Sequence, residues 1–380
     1  MFSVEDPVLR GARCGVGAQV MGPGDSYLVQ HSRETGRFWA EPHALRLGNT
    51  FRPCRGAAPP AGMLGEAEFG ASVAEGFQSS AALHCGVLRA DSATAGDGPA
   101  SGVGACAWSF AVEPAAGWGG GRGAEQKSTA SWLSSLPVFD PHWQVLASHG
   151  RATGWVDWGG RRYSFERAPF YAEKNWGGAF PLKWFWAQCN AFPSHPGLAL
   201  TGAGGVRSLP SLPGGNATEE VALLGIHLPP SLSTSGDVEF IEFSPWTGRA
   251  SWRVAPWGDW SLHASTPRYE ASLSAVCDPT DGAVLRAPTA SRGLAAACRD
   301  TFAGRVTLAL WRVDPATRRR GDLVFSATCE QCALETGGGP WEREWVGTST
   351  PKQPLAALAG LNVDVAAVAA ALGRAKPRGL

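Results

Sequence analysis

The sequence predicts an all-β fold. Three observations carry that reading: 49 Gly and 28 Pro in 380 residues punctuate the chain too often for long helices, the segments between them are short, and those segments are rich in aromatic and β-branched residues. In chain order, the first clear element is a hairpin, with Trp155-Val-Asp-Trp158 and Arg161 to Phe165 flanking a Gly159-Gly160 turn. Trp184-Phe-Trp-Ala-Gln-Cys-Asn190 follows as a strand, because period-2 geometry puts Trp184, Trp186, Gln188 and Asn190 on one face and Phe185, Ala187 and Cys189 on the other. Phe240 to Phe243 and Ser251 to Val254 read as a second hairpin around Thr247-Gly248. Arg305 to Val313 aligns Val306, Leu308 and Leu310, and Asp322 to Cys329 continues with Leu323, Phe325 and Ala327 in step, so both read as half-buried strands. One helix is expected, the Ala-rich Leu355 to Leu372, whose apolar run is broken by Asn362 and Asp364 and which therefore docks rather than spans a membrane. Three Gly/Ser/Ala/Pro-rich stretches, 91–105, 202–219 and 229–237, are expected as mobile surface loops.

Composition narrows the function classes. The 33 Lys and Arg balance the 33 Asp and Glu, so the chain has no electrostatic reason to seek nucleic acid or an anionic membrane. Charged residues make up 17% of the chain, below the usual quarter or so, which points to a large buried or ligand-facing area. Seventeen Trp and 16 Phe stand against 4 Tyr, a preference suited to π-surface in a dry place. Nine cysteines in no even framework read as reduced thiols inside a cell or organelle, and Cys329-Glu-Gln-Cys332, with no second pair nearby, as two strand-end thiols. Gly15-Val-Gly17, Gly117 to Gly123 and Gly337 to Gly339 lack the strand-to-helix context of nucleotide loops and read as tight turns. No Ser lies in Gly-x-Ser-x-Gly and the eight His show no paired ligand spacing, so neither a hydrolase nor a metal site is expected, and nucleotide binding falls with the Gly-rich spots. Met1-Phe-Ser-Val-Glu-Asp6 reads as neither a signal peptide nor a transit peptide.

The region from Phe139 to Phe192 is the most informative. The Trp184 face grades from indoles to amides, which suits the inner wall of a β-barrel holding a ligand with a greasy tail and a polar head; a packed sandwich core with two satisfied amides gives the same pattern. Just upstream, Tyr171-Ala-Glu-Lys-Asn-Trp-Gly-Gly178 sets a carboxylate among aromatics, where burial would raise its pKa and hold it protonated near neutral pH. A neutral carboxylic acid beside indole faces is what alkene protonation requires, since one group donates the proton and the others stabilise the cation. A surface pair of Glu173 with Lys174 or Arg167 is the simpler alternative.

Many longer segments bear a resemblance. Ser3-Val-Glu-Asp-Pro7, Leu47-Gly-Asn-Thr-Phe51, Gln126-Lys-Ser-Thr-Ala130, Pro137-Val-Phe-Asp-Pro-His-Trp143, Glu173-Lys-Asn-Trp-Gly-Gly-Ala-Phe180, Trp184-Phe-Trp186, Val254-Ala-Pro-Trp-Gly258, Leu285-Arg-Ala-Pro-Thr289, Ala297-Cys-Arg-Asp-Thr301 and Gly337-Gly-Gly-Pro-Trp341 occur in the order of the tocopherol cyclases, which the chain resembles over nearly its whole length. The resemblance implies two lipocalin-like β-barrel or sandwich domains, 1–168 and 169–380, the second ending in the short helix, and a distant kinship with carotenoid hydratases that carry an acidic residue before Asn-Trp-Gly, where Glu173 stands. Family members also carry an upstream stretch with His-Trp-Asp-Gly and Glu-Gly-Trp-Tyr motifs. The expectation is therefore that further strands of the first domain, and a transit peptide, belong before Met1.

The implied reaction closes the chromanol ring of 2-methyl-6-phytyl- and 2,3-dimethyl-6-phytyl-1,4-benzoquinol to δ- and γ-tocopherol, and of plastoquinol to plastochromanol. It takes place in the chloroplast at its lipid droplets (plastoglobules), without a cofactor. On that reading Glu173 protonates the tail alkene, Trp176, Trp184 and Trp186 hold the cation, and Gln188 or Asn190 orients the quinol hydroxyl. Asp140, His142 and Tyr171 are candidates to accept its proton. A prenyl-quinone carrier without chemistry is the rival from another class, and a hydratase admitting water to the same cation is a third reading.

Overall fold

A computed structural model of the chain describes residues 1–5, 14–41, 44–90, 103–119, 128–130, 141–177, 180–208, 218–289 and 293–350. Its strands form three antiparallel sheets. The first contains β1 (Phe2–Glu5), β2 (Gly15–Met21) and β3 (Tyr27–Ser32). The second is a meander of seven: β4 (Phe38–Ala40), β5 (Arg46–Pro53), β6 (Val73–Ser80), β7 (Leu83–Arg89), β8 (Ala105–Ala116), β9 (His142–Trp158) and β10 (Arg161–Trp176), with the short helix α1 (Glu66–Ser72) between β5 and β6. The third comprises β11 (Lys183–Cys189), β12 (Ala199–Ser208), β13 (Thr218–Leu228), β14 (Glu239–Phe243), β15 (Arg249–Val254), β16 (Asp259–Ser265), β17 (Tyr269–Val276), β18 (Ala283–Thr289), β19 (Gly293–Val313), β20 (Arg320–Gly338) and β21 (Trp345–Ser349).

The all-β expectation holds. Within the third sheet the spatial order is β14-β13-β12-β11-β20-β19-β17-β16-β15-β21, with β18 added alongside β19. This sheet curls until β21 packs against β13, where Trp345 Nε1 donates to Glu220 Oε1 at 2.9 Å. The inside of the curl is filled by Phe185, Leu200, Ile226, Phe243, Trp252, Trp260, Leu308 and their neighbours, all buried. Phe77, Leu88, Trp108 and Trp158 of the second sheet form another core with Val16, Ala18 and Leu28 of the first. Among the described residues, strands up to Trp176 pair only with one another, as do strands from Lys183 onward. Residue 168 lies inside β10, at a bulge where Arg167 has φ 49°; β10, which ends at Trp176, is in the second sheet, and β11, which starts at Lys183, is in the third. The helix expected at 355–372 lies outside the described residues, as does 91–102 of the first expected loop.

Several elements follow the pattern and several depart from it. Gly159 and Gly160, at φ 61° and 84°, close the β9–β10 hairpin. Val306, Leu308 and Leu310 are fully buried. By contrast, Leu323 is 53% exposed, because Leu310 pairs with Phe325 but Trp311 with Leu323; the bulge shifts the phase and turns Val324 toward the core. A like irregularity lets Cys329 and Cys332 both point inward from the middle of β20, so they are not strand-end thiols. All nine cysteines are free thiols. Phe240–Phe243 and Ser251–Val254 are joined by a turn but do not pair: β14 bonds to β13, and β15 to β16 and β21. The expected loop at 202–219 is strand at both ends, since β12 continues to Ser208 and β13 starts at Thr218. Glycine is placed there for space, as a Cβ on Gly204 would come within 2.4 Å of the Phe185 ring. Residues 229–237 do form a loop. Gly15 and Gly17 lie within β2, and Gly337 within β20, rather than in turns.

Gly337 has a consequence for the site. It pairs with Trp184 across β11 and β20, and a Cβ there would meet the indole at 2.0 Å. A Gly337→Ala variant should therefore push Trp184 off its seat and lose about 1–3 kcal/mol of stability. Urea unfolding checks this, and a midpoint equal to that of the unaltered chain would contradict it.

Candidate active site

The period-2 pattern defines two faces of β11 but not which one lies inside the curl. Phe185, Ala187 and Cys189 take the interior, so the Trp184, Trp186, Gln188, Asn190 face is the outer wall of the third sheet rather than the inner wall of a barrel. That outer wall packs against β9 and β10. Asn190 Nδ2 donates to Phe170 O at 2.8 Å and to Ser148 O at 3.3 Å, and the Tyr171 and Trp186 rings lie 5.7 Å apart. The third sheet is also tied to the first-sheet segment, where Gln19 Nε2 donates to Arg286 O and Asp25 Oδ2, in the turn between β2 and β3, accepts from Thr301 Oγ1.

A cavity of about 190 Å³ opens in this seam. From the second-sheet side it is lined by His142, Trp143, Glu173 and Asn175, and from the third-sheet side by Trp184, Trp186, Ala203, Leu223 and Glu335. Alternation along β10 sends Tyr171, Glu173 and Asn175 to one face, and all three meet at the carboxylate. Tyr171 OH donates to Glu173 Oε2 at 2.5 Å, Trp143 Nε1 donates to the same oxygen at 2.7 Å, and Asn175 Nδ2 donates to Oε1 at 3.2 Å. Burial is the largest influence on Glu173 and raises its pKa; the donors from Tyr171 and Trp143 oppose this, and the nearby Glu335 adds to it. Burial likewise holds the Tyr171 hydroxyl well above its ordinary value. In this arrangement the phenol donates its hydrogen bond to the Glu173 carboxyl.

The other expected residues are placed as follows. His142 lines the cavity and stacks on Trp176 at 4.9 Å, while Lys174 Nζ sits 4.7 Å over the Trp176 ring, so Trp176 supports the wall and is not itself part of the lining. Gln188 is buried in the seam, and the Asn190 amide is spent on two backbone carbonyls, so neither is among the groups lining the cavity. Asp140 lies outside the described residues.

Two acidic residues were missed. Glu335 pairs with Trp186 across β11 and β20, and Asp300 pairs with Glu335 across β19 and β20, so one row runs Trp186, Glu335, Asp300 on the cavity side. Trp184 Nε1 donates to Glu335 Oε1. A carboxylate oxygen of Asp300, one of Glu335 and the Cys298 thiol lie within 4.8 Å of one another. Burial, then the charge of Glu335, holds the Asp300 carboxyl well above the usual range; burial also raises Glu335, against hydrogen bonds from Asp300 and Trp184. The signal available in sequence was a single acid beside Ala333 and Leu334 in the segment Ala333-Leu-Glu-Thr336, in a chain sparing of charge.

The tocopherol cyclase-like family model matches residues 1–338. The chain belongs to the tocopherol cyclase-like family. Within this family it is 40% identical over 380 residues to "Probable tocopherol cyclase, chloroplastic" of Oryza sativa subsp. japonica, an alignment covering 96% of this chain and 77% of the rice protein. It is 38% identical over 378 residues to "Tocopherol cyclase, chloroplastic" of Zea mays, covering 96% of this chain and 76% of the maize protein. Among solved structures, kievitone hydratase from Nectria haematococca aligns over 90% of this chain and 97% of its own, with a TM-score of 0.38 and 11% identity. In this tocopherol cyclase-like chain, the seam between the second and third sheets thus carries both the aromatic lining and its carboxyl groups. Among the described residues no helix is long and apolar enough to cross a membrane.

Proposed function

We propose that the chain is a chloroplast tocopherol cyclase, closing the chromanol ring of phytyl benzoquinols to δ- and γ-tocopherol and of plastoquinol to plastochromanol. One observation carries the reading: a carboxyl group held in an indole-lined cavity, with its pKa raised by burial and with three donors aimed at its oxygens. Burial and Glu335 favour the protonated form of Glu173, while the Tyr171, Trp143 and Asn175 donors stabilise the carboxylate that remains once the proton is given up. Glu173 protonates the tail alkene at its less substituted carbon. The tertiary cation forms against the faces of Trp184 and Trp186, and the quinol hydroxyl attacks it. Ring closure is an isomerisation with no change of oxidation state, so protein side chains suffice for it.

The two halves are read as lipocalin-like units meeting at the site. A phytyl-tailed substrate partitions into lipid, so the enzyme works at the surface of plastid lipid droplets. A carrier for the same lipid would have no use for an acid kept protonated in its cavity. Incubating the purified protein with a phytyl quinol tests the reading: chromanol is the expected product, and quinol that is bound but recovered unchanged would favour the carrier.

A further inference from the structure

We propose that Glu335, backed by Asp300, is the second acid–base group of the cavity and takes the proton from the attacking quinol hydroxyl. This inference rests on the cyclase reading above. Both carboxyl systems meet one cavity from opposite walls, Glu173 from β10 and Glu335 from β20. The indole N–H of Trp184 can only donate, so Glu335 Oε1 acts as an acceptor. Asp300 stands directly opposite on the next strand, 9% exposed, and its Oδ1 has no hydrogen-bond partner. Two carboxyl groups facing each other out of water cannot both ionise, so they hold one proton between them. Glu335 accepts the Trp184 indole N–H, which favours its charged form, whereas Asp300 Oδ1 accepts nothing, so Asp300 retains that proton and Glu335 is the anionic member. The charge on Glu335 in turn favours a neutral Glu173. The resting cavity therefore contains an acid on one wall and a base on the other.

The step balances. The alkene π pair forms a C–H bond with the Glu173 proton, an oxygen lone pair of the quinol forms the C–O bond to the tertiary carbon, and the O–H proton passes to Glu335. Glu173 is left as a carboxylate and the Glu335–Asp300 pair carries one extra proton, and exchange with water restores both. Asp300 acts through Glu335 as a positioning residue.

The test uses the full chain, a phytyl quinol and D₂O, and reads the ratio of deuterium exchanged into the unreacted tail to chromanol formed. With no base to complete closure, the cation returns to alkene and carries deuterium with it. Glu335→Gln should raise that ratio at least about tenfold, and Asp300→Asn should raise it by a smaller factor. A fold merely weakened by either change lowers exchange and closure together and leaves the ratio alone, so an unchanged ratio in both variants overturns the assignment. If the unaltered chain yields neither chromanol nor exchange, the cyclase reading itself fails. Chromanol from the unaltered chain with an unchanged ratio in the variants removes only the role of Glu335.

Discussion

Glu173→Gln should lower turnover on a phytyl quinol at least about a hundredfold while leaving quinol binding nearly intact. Glutamine keeps the shape and still fills the space before Trp143, Tyr171 and Asn175, but it has no acidic proton to give. Because only the transition state uses that proton, the loss belongs in kcat rather than in affinity. The pH dependence has a definite sign. The active form is the protonated acid and its pKa is raised above the usual carboxylate range, so turnover should be greatest on the acid side of that raised value and fall as pH rises through it. Steady-state turnover and equilibrium quinol binding on the two proteins decide the matter. Equal turnover in the Gln variant would remove Glu173 from the chemistry and return the cavity to a binding role.

How much of this was legible in the sequence depends on which physical signal carried it. Strand existence was readable wherever alternation was unbroken, as at Val306, Leu308 and Leu310. It failed at Leu323, where a bulge at Val324 puts Leu323 out of phase with Phe325 and Ala327, which stay buried, because nothing local in the sequence marks the extra residue. Glycine was misread for a related reason: at Gly204 and Gly337 it makes room for a ring on the neighbouring strand, and composition alone cannot tell space from a turn. In the site, Glu173 was found because its aromatic neighbours are adjacent in sequence. Glu335 and Asp300 were not, since the partners of Glu335, Trp184 and Trp186, lie more than a hundred residues away along the chain and Asp300 meets Glu335 only through cross-strand pairing. The two faces of β11 were correctly separated, and the Trp184 face does line the cavity, but that it lies outside the curl rather than inside a barrel was decided by how the third sheet curls.

The two tryptophans on that face should now part company. Trp184 is 8% exposed, stacked on Phe180 at 5.4 Å, seated over Gly337 and hydrogen-bonded to Glu335. Changing it to Leu removes packing and a donor at once, so stability should fall on the order of 1–3 kcal/mol and turnover with it. Trp186 is only half-buried, lines the cavity and lies beside Tyr171 in the shell around Glu173. Its π-face matters most when positive charge develops on the tail, so Trp186→Leu should reduce turnover by about tenfold or more with quinol affinity and melting temperature little changed. Trp186→Phe retains part of the π-system and should fall between the two. Turnover, quinol binding and melting temperature measured on Trp186→Phe, Trp186→Leu and Trp184→Leu separate the roles: an order of Trp, Phe, Leu in turnover at position 186, independent of melting temperature, places an indole against the cation. Turnover that simply follows melting temperature at both positions would show that these rings only pack the seam.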